Sequence, residues 1–343
     1  MRRRAIAYVS LSAALFGAST PFAKLLVGIV PPLALAGLLY LGSGVGLAVW
    51  FVARRTPMNL SARDLPWLGA AIAAGGIVGP AFLMYGLART DGASASLLLN
   101  LEVVFTAVMA WVIFRENVDK RVFVGVLAIV AGGVVLSWEQ VPQARSVSGP
   151  LLIGAACLAW ALDNNLTRRV SGGDAVAIAS LKGLVAGAAN LGLALALGAY
   201  LPAPGAIALA GLVGLVGYGI SLVLFIVALR DLGTARAGAY FSVAPFYGAA
   251  LALPLLGERP GIAFWAAAAL MGVGVWLHLT ERHEHEHVHE PTTHAHEHTH
   301  DAHHQHEHEG AWDGREPHSH THQHTRLRHR HPHYPDLHHR HRH

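Results

Sequence analysis

The chain of 343 residues is 53% hydrophobic and 13% charged, about half the charged fraction of an average soluble domain. Residues 1–280 carry 18 Lys+Arg and 10 Asp+Glu, a formal charge of +8, whereas residues 281–343 carry 7 and 11, a formal charge of −4. This division excludes an ordinary soluble globular protein and predicts a membrane-embedded body followed by a polar tail. The single cysteine, Cys157, excludes a disulfide within one chain.

Ten apolar segments of the body are long enough to cross a bilayer, which takes about 20 mostly apolar residues. The connections between them are short and contain charged or turn-forming residues, as expected for loops of a helical bundle. We therefore expect an all-α membrane protein with ten transmembrane helices in a lipid bilayer. The predicted spans are 5–27, 33–53, 66–88, 93–114, 121–138, 149–168, 175–198, 205–229, 236–256 and 260–280.

The lysines and arginines beside these spans are unevenly distributed. With the N-terminus taken as cytoplasmic, thirteen lie at inner ends of the spans, and three (Arg89, Arg145 and Arg259) lie at outer ends. Positive residues concentrate in cytoplasmic loops. The distribution predicts a multi-pass protein of the cell (inner or cytoplasmic) membrane with both termini in the cytoplasm.

Two stretches of the body repeat each other. DGASASLLLNLEVVFTAVMAWVIFRE (91–116) and GTARAGAYFSVAPFYGAALALPLLGE (233–258) align when Glu116 is placed on Glu258, an offset of 258 − 116 = 142 residues. Each half contains five spans, an odd number, so the second half must cross the membrane in the opposite direction. We expect two inverted five-helix repeats, residues 1–141 and 142–280. Such repeats place a binding site between them near the bilayer midplane, which favours a transporter.

The ten spans, the two repeated segments and CLAWALDNNLTRRVS (157–171) resemble the drug/metabolite transporter superfamily, specifically the EamA-type permeases. The resemblance implies two EamA-like repeats and secondary transport of a small solute. Spans of this family end in a Pro…Gly-Glu pattern, which Pro245 and Gly257-Glu258 match. The first repeat has Val103 and Arg115 at the positions of the proline and the glycine, so a straighter fourth span is expected there.

Ionisable residues inside spans are the main candidates for function. Each costs at least about 2.5–3.5 kcal/mol on insertion scales and usually faces a cavity or a partner. Glu102 lies roughly 14 Å into the fourth span, close to the midplane, and is a candidate for proton coupling or substrate binding. The alternative is a packing hydrogen bond to a neighbouring helix, the role expected for Asn100 as well.

Asp163 and Lys182 lie at similar predicted depths, about 7 Å and 10 Å from the cytoplasmic ends of consecutive spans. This placement predicts an ion pair, with Asn164 and Asn165 nearby, that acts either as a structural link or as a cytoplasmic gate or substrate contact. Lys24 is expected to snorkel to the outer interface, and Glu116 and Glu258 to stabilise the N-termini of the spans that follow them. Aromatic residues that are candidates to line a cavity are Trp160, Tyr85, Tyr218, Tyr240 and Tyr247.

The tail from residue 281 to residue 343 contains 23 of the 24 histidines. It has little apolar surface to bury, so we expect a disordered cytoplasmic segment. Imidazole is a common ligand of nickel, zinc, cobalt and copper, which predicts metal binding, although a low-complexity appendage and a pH-responsive tail are alternatives. The candidate metal ligands are His283, His285, His287, His289, His294, His296, His298 and His300.

The leading functional hypothesis is a permease, probably the wrong class for catalysis, that moves a small organic solute with proton coupling.

 The alternative in the same architecture is a divalent metal exporter for Ni, Co or Zn, with the tail as a cytoplasmic metal buffer or sensor. A metal-storing or sensing membrane protein without transport is a third reading. An enzyme is disfavoured because the chain has no His-Glu-X-X-His helix, Gly-X-Ser-X-Gly elbow or phosphate loop. We expect no nucleic-acid partner, and the sequence leaves the oligomeric state and the direction of transport open.

Overall fold

The structure, a computed structural model, divides into two compact units, Met1–Glu281 and Arg282–His343, which are described separately. It describes the following residues: 2–54, 61–114, 120–139, 148–170, 173–232, 234–280, 284–289, 293–298, 318–323 and 327–332.

The described part of the first unit is all-α, and helices are found at each of the ten predicted spans. Four of the spans consist of more than one helical segment, and two of these contain a π-helical segment. The α-helices are α1 (Arg2–Val27), α2 (Pro32–Arg54), α3 (Leu65–Ala71), α4 (Gly79–Leu87), α5 (Gly92–Leu98), α6 (Leu101–Phe114), α7 (Lys120–Glu139), α8 (Ser148–Val170), α9 (Ala175–Ala196), α10 (Pro204–Val213), α11 (Ser221–Leu232), α12 (Thr234–Phe241), α13 (Ala244–Leu256) and α14 (Ile262–Leu279).

The two π-helical segments follow the sequence repeat. Ile72–Val78 joins α3 to α4 in the third span, and Gly214–Ile220 joins α10 to α11 in the eighth span. The two segments are 214 − 72 = 142 residues apart, the same offset that aligns the repeated sequence stretches. Short π-helical segments inside α-helices occur often at functional sites, so these positions draw attention to the middle of the bundle.

The fourth span is interrupted between α5 and α6, at Leu99 and Asn100. The side-chain amide of Asn100 donates to the carbonyl oxygen of Leu97 at 3.0 Å, and such local side-chain bonds compete with the regular helical ladder. The prediction of a straighter fourth span, made because Val103 replaces a proline, was therefore wrong. A polar side chain interrupts the helix where proline was expected to do so.

The ninth span is interrupted in the equivalent region of the second repeat. Helix α12 ends at Phe241, and α13 begins at Ala244 with Pro245 in its first turn. The hydroxyl of Ser242 donates to the carbonyl oxygen of Ala239 at 2.6 Å. Both repeats thus contain a discontinuous helix, a feature that transporters use to build binding sites within the membrane.

The two repeats exchange their first spans. Helix α1 packs against α11 and α13 of the second repeat, and α8 packs against α4 and α6 of the first. Equivalent helices also pack directly on each other, α2 on α9 and α7 on α14. Because each discontinuous helix is covered by the first span of the other repeat, the centre of the bundle is lined by both halves.

Glycines allow α2 and α9 to come close together. A Cβ atom added to Gly183 of α9 would lie 2.5 Å from the backbone nitrogen of Gly44 in α2, a distance that no real side chain tolerates. Small residues at helix interfaces allow such close backbone contact in membranes. This contact fixes the spacing of the helices that carry Tyr40 and Lys182.

The second unit contains four strands, β1 (Glu284–His289), β2 (Thr293–His298), β3 (His318–Gln323) and β4 (Leu327–Pro332). Strand β1 pairs antiparallel with β4, and β2 pairs antiparallel with β3. Where composition predicted disorder, the structure describes strands, and the His-X-His alternation has the two-residue period of a strand. His283 and His300, two of the predicted metal ligands, lie outside the described residues.

Candidate functional site

A hydrogen bond between the two repeats lies at the interruption of the fourth span. Glu102 is in the first turn of α6, directly after the break, and its side chain is only partly buried. The side-chain amide of Asn164 in α8 donates to Oε1 of Glu102 at 2.6 Å. A carboxylate at the start of a helix also benefits from the free backbone N–H groups and the helix dipole.

Asp163 and Lys182 form the ion pair that the sequence predicted. Nζ of Lys182 lies 2.6 Å from Oδ1 and 2.7 Å from Oδ2 of Asp163, and both residues are buried. The ammonium group also donates to the hydroxyl of Thr167 at 3.0 Å, and that hydroxyl donates to Asp163 at 2.8 Å. The three N–H donors of the ammonium group therefore have three acceptors.

The carbonyl oxygen of Gly75, in the π-helical segment of the third span, accepts two side-chain hydrogen bonds. One comes from the indole N–H of Trp160 at 2.9 Å and the other from the hydroxyl of Tyr40 at 2.9 Å. A Cβ atom at Gly75 would overlap the side chain of Asp163. Glycine at this position thus allows α8 to bring Trp160 and Asp163 against the π-helical segment.

Five aromatic side chains pack beside these polar groups, and we refer to them as the aromatic cluster: Phe16, Tyr40, Trp160, Tyr218 and Phe241. The ring of Phe16 lies at centroid distances of 5.8 Å from Trp160 and 5.7 Å from Tyr218, both edge-to-face. It lies 5.4 Å from Phe241, and Tyr40 lies 5.5 Å from Tyr218. Both repeats contribute rings, so the cluster lies where the two halves meet.

Three residues predicted for the site lie outside this group of contacts. The side-chain amide of Asn165 donates to the carbonyl of Ala161 within its own helix. Tyr85 packs with Arg89, whose guanidinium carbon is 5.7 Å from the ring centroid. Tyr247 is 47% exposed. Of the predicted residues, the structure brings together the set Glu102, Trp160, Asp163, Asn164 and Lys182.

Two charged residues have partners other than those expected. Lys24 does not snorkel to the interface: its ammonium group donates to the carbonyl oxygens of Leu87 and Thr90 at 2.5 and 2.7 Å. Glu258 stabilises a helix N-terminus, but the helix is α5 of the first repeat and not the span that follows it. Glu116, its counterpart in the first repeat, lies outside the described residues.

The sequence analysis missed several residues of the site. Thr167 lies four residues after Asp163, a spacing that places both on one helix face, so this contact was open to prediction. Tyr40, Phe16 and Phe241 carry no such signal, because single aromatic residues in apolar spans usually contribute to packing alone.

The site is not symmetric, although the repeats are. At the offset of 142 residues, Ala244 stands in the second repeat where Glu102 stands in the first. The chain therefore has one carboxylate at the paired helix interruptions. Within the described membrane segments, no group of three or more His, Cys, Asp or Glu side chains is arranged to hold a metal ion.

Comparisons with known proteins agree with this architecture. The chain matches the EamA-like transporter family over residues 3–138 and 147–280, one match for each repeat. It is 27% identical over 299 residues to an uncharacterized transporter of Methanothermobacter thermautotrophicus, covering 80% of this chain and 86% of that protein. It is also 27% identical over 172 residues to the uncharacterized transporter YetK of Bacillus subtilis, covering 48% of this chain and 52% of YetK.

A solved crystal structure has the same fold, with a TM-score of 0.59 and 20% sequence identity over 80% of this chain and 94% of that chain. The family match covers most of the membrane-embedded unit, and both of its segments coincide with the repeats seen in the structure. The chain belongs to the EamA-like transporter family.

Proposed function

We propose that the protein is a secondary transporter that moves a small organic solute across the cell membrane by alternating access, with Glu102 as the proton-coupling group. The observation that carries this proposal is the hydrogen bond from Asn164 to Glu102, which joins the two repeats at the interrupted fourth span. Transporters with inverted repeats bind their substrates at such interruptions near the midplane. Membership of a transporter family supports the general class.

Glu102 suits a coupling role because its charge and its contacts between the repeats change together. A carboxyl group can hold a proton or a cation, and each state makes a different hydrogen bond with Asn164. A ligand shifts a conformational equilibrium only through such differential interactions. Binding at Glu102 thus provides a physical link between the bound species and the packing of the two halves.

The pair of Asp163 and Lys182 acts in this proposal as a support for the site. It joins α8 to α9 by side chains that are fully engaged with each other and with Thr167. Asn164 is the next residue of α8, so the pair fixes the rotation of the helix that presents Asn164 to Glu102. A role as a cytoplasmic gate is the alternative. It predicts that the paired exchange Asp163→Lys, Lys182→Asp restores folding but not transport.

We place the protein in the cell membrane with both termini in the cytoplasm, on the basis of the thirteen inner and three outer basic residues at span ends. The test uses single cysteines in a Cys157→Ser background, one at Gln143 and one in the tail, with a membrane-impermeant maleimide on intact cells. Labelling of Gln143→Cys alone is expected. Labelling of both positions from the same side of the membrane would overturn the inverted arrangement.

Transport is tested with the purified full-length protein in proteoliposomes under an imposed proton gradient, across a panel of organic solutes and metal ions. Glu102→Gln removes the exchangeable proton, and Glu102→Asp keeps the carboxyl group on a shorter side chain. Gradient-driven uptake is expected for the native protein, partial uptake for Glu102→Asp and none for Glu102→Gln. Equal gradient-driven uptake by the native protein and Glu102→Gln would refute the coupling role.

A second function, metal binding by the tail, is supported by the strand register. Histidine is paired with histidine at five positions: His285 with His331, His287 with His329, His294 with His322, His296 with His320 and His298 with His318. Directly opposite residues are close neighbours in an antiparallel pair, and imidazole suits zinc, copper and nickel. The proposed role is a cytoplasmic metal buffer or sensor, with export of Ni, Co or Zn as its transport counterpart.

This role is tested by comparing the full chain with a chain that ends at Thr280. Calorimetric titration with Ni²⁺, Zn²⁺, Co²⁺ and Cu²⁺ is expected to show binding to the full chain only. Growth of a deletion strain in excess metal, complemented with either chain, then separates metal export from transport of an organic solute. Identical titrations of both chains would exclude the tail as a metal site.

A further inference from the structure

We infer that the substrate is a small organic cation with an apolar or aromatic body, held by Glu102 and the aromatic cluster. This inference rests on the proposed function, because it assigns a substrate class to the same site. It depends on three observations: the charge balance of the buried polar groups, the arrangement of the aromatic rings and one buried hydroxyl without a partner.

The charge balance leaves Glu102 without a cationic partner. Asp163 and Lys182 neutralise each other at 2.6 Å. The partner of Glu102 is the amide of Asn164, which carries no charge, and no cation pairs with Glu102 in the described part of the chain. An isolated carboxylate in apolar surroundings is costly, so the site favours a ligand that brings a positive charge.

The same balance disfavours an anionic or zwitterionic substrate. A substrate carboxylate needs a cation, and Lys182 is the buried cation nearest to hand in α9. Its exposure is 2%, and its N–H donors are taken by Asp163 and Thr167. Removing one partner from a buried ion pair is strongly destabilising, so this lysine is not available to a substrate carboxylate without loss of the pair.

The aromatic cluster lies beside Glu102. Trp160 is one helical turn before Asn164 on α8, so the two share a helix face. Tyr40 is within electrostatic range of both Asp163 and Glu102. The faces of Trp and Tyr attract cations, by about 2 kcal/mol or more when water is excluded. A carboxylate next to several aromatic rings is thus suited to an ammonium group that carries an apolar body.

The hydroxyl of Tyr218 argues against an aromatic cluster that serves packing alone. Tyr218 is 6% exposed, and its hydroxyl has no hydrogen-bond partner among the described residues. A buried polar group without a partner costs about 1–3 kcal/mol, and phenylalanine would fill the same space without that cost. A hydroxyl retained there provides an acceptor for an N–H group of a ligand.

The test measures binding of three probes that share a phenyl group to the full-length protein in detergent by calorimetry. The probes are phenethylammonium (a cation), phenylalanine (a zwitterion) and phenylpropionate (an anion). Binding of the cation alone is expected, with affinity reduced about tenfold or more by Glu102→Gln and by Trp160→Leu, since each loses a charge-dependent contact. Binding of phenylpropionate, or an affinity for phenethylammonium that Glu102→Gln leaves unchanged, would overturn the inference.

Two further measurements keep the result interpretable. Tyr218→Phe is expected to retain the melting temperature while it weakens phenethylammonium several-fold. It should not weaken benzyltrimethylammonium, which has no N–H donor. If gradient-driven transport of another solute depends on Glu102 but no cation binds, the proposed function stands and the cation inference fails. If the cations bind but no solute is transported, the binding site stands and the transport proposal fails.

Discussion

The carboxylate of Glu258 accepts a hydrogen bond from the backbone N–H of Gly92 at 2.6 Å, although 166 residues of chain separate them. Its second oxygen accepts from the N–H of Ala93 at 2.8 Å. Gly257, with φ of +65°, ends α13 in the left-handed conformation that favours glycine. The Gly-Glu ending of the second repeat therefore caps the first turn of α5 in the other repeat.

Glu258→Ala is expected to lower the apparent melting temperature, because α5 receives no side-chain cap from its own N-cap residue. Loss of a cap usually costs about 0.5–2 kcal/mol. Thermal unfolding of the purified protein in detergent measures the change. Glu258→Gln keeps one acceptor oxygen and removes the charge, so its melting temperature should lie between those of the native protein and Glu258→Ala. An unchanged melting temperature in Glu258→Ala would show that the cap contributes nothing to stability.

Asp163→Asn and Lys182→Met should each destabilise the protein strongly, since each leaves one buried charge without its counter-ion. Removal of one partner of a buried pair costs about 3–5 kcal/mol. The double variant Asp163→Asn, Lys182→Met leaves no buried charge and should be more stable than either single variant. Melting temperatures of the four proteins give the coupling between the residues. Additive effects of the two single changes would contradict a direct interaction.

The ten spans and the ion pair could be predicted because each leaves a local signal. A span requires a long apolar stretch, and the breaks between spans contain charged or turn-forming residues. Asp163 and Lys182 lie on consecutive helices joined by a short loop, so their depths could be compared without knowledge of the fold. Their opposite charges then made a contact the simplest arrangement inside a membrane.

The remaining contacts depend on how the repeats pack. Glu258 was expected to act on its own following helix, because the sequence does not show that α13 ends beside α5. The interruption at Asn100 was missed because Asn100 gave no proline signal, and its effect comes from a bond to a carbonyl three residues earlier. The aromatic cluster combines residues from five segments, which only the exchange of first spans brings together.

Asn100→Leu is expected to reduce transport at least about tenfold, a loss of ~1.4 kcal/mol in transition-state stabilisation. Without the bond to Leu97, the fourth span can continue as a regular helix, and Glu102 loses its position at a helix start. The side-chain oxygen of Asn100 is buried without a partner, so the same change should leave the melting temperature equal or higher. Uptake into proteoliposomes and thermal unfolding measure the two effects separately.

Asn100→Ser serves as the control, because serine can also bond to a nearby backbone carbonyl and sustain the interruption. It should retain more transport than Asn100→Leu. Equal transport by the native protein and Asn100→Leu would show that the interruption of the fourth span is not needed for function.

Gly183→Ala tests the close contact between α2 and α9. The new methyl group would lie 2.5 Å from the backbone nitrogen of Gly44 and 2.8 Å from the carbonyl oxygen of Tyr40, so the helices must separate. Overpacking of this kind costs about 1–3 kcal/mol, and a lower melting temperature is expected. Because Tyr40 and Lys182 lie on these two helices, transport should fall as well.

Gly192→Ala is the matched control, since it makes the same substitution in the same helix. Gly192 has no neighbouring atom within 4 Å of an added Cβ, and alanine is preferred to glycine in a helix by about 1 kcal/mol. Its melting temperature should therefore be equal to or above that of the native protein, and its transport unchanged. If Gly183→Ala and Gly192→Ala behave alike, the loss of stability cannot come from the contact with Gly44, and the spacing of α2 and α9 must have another cause.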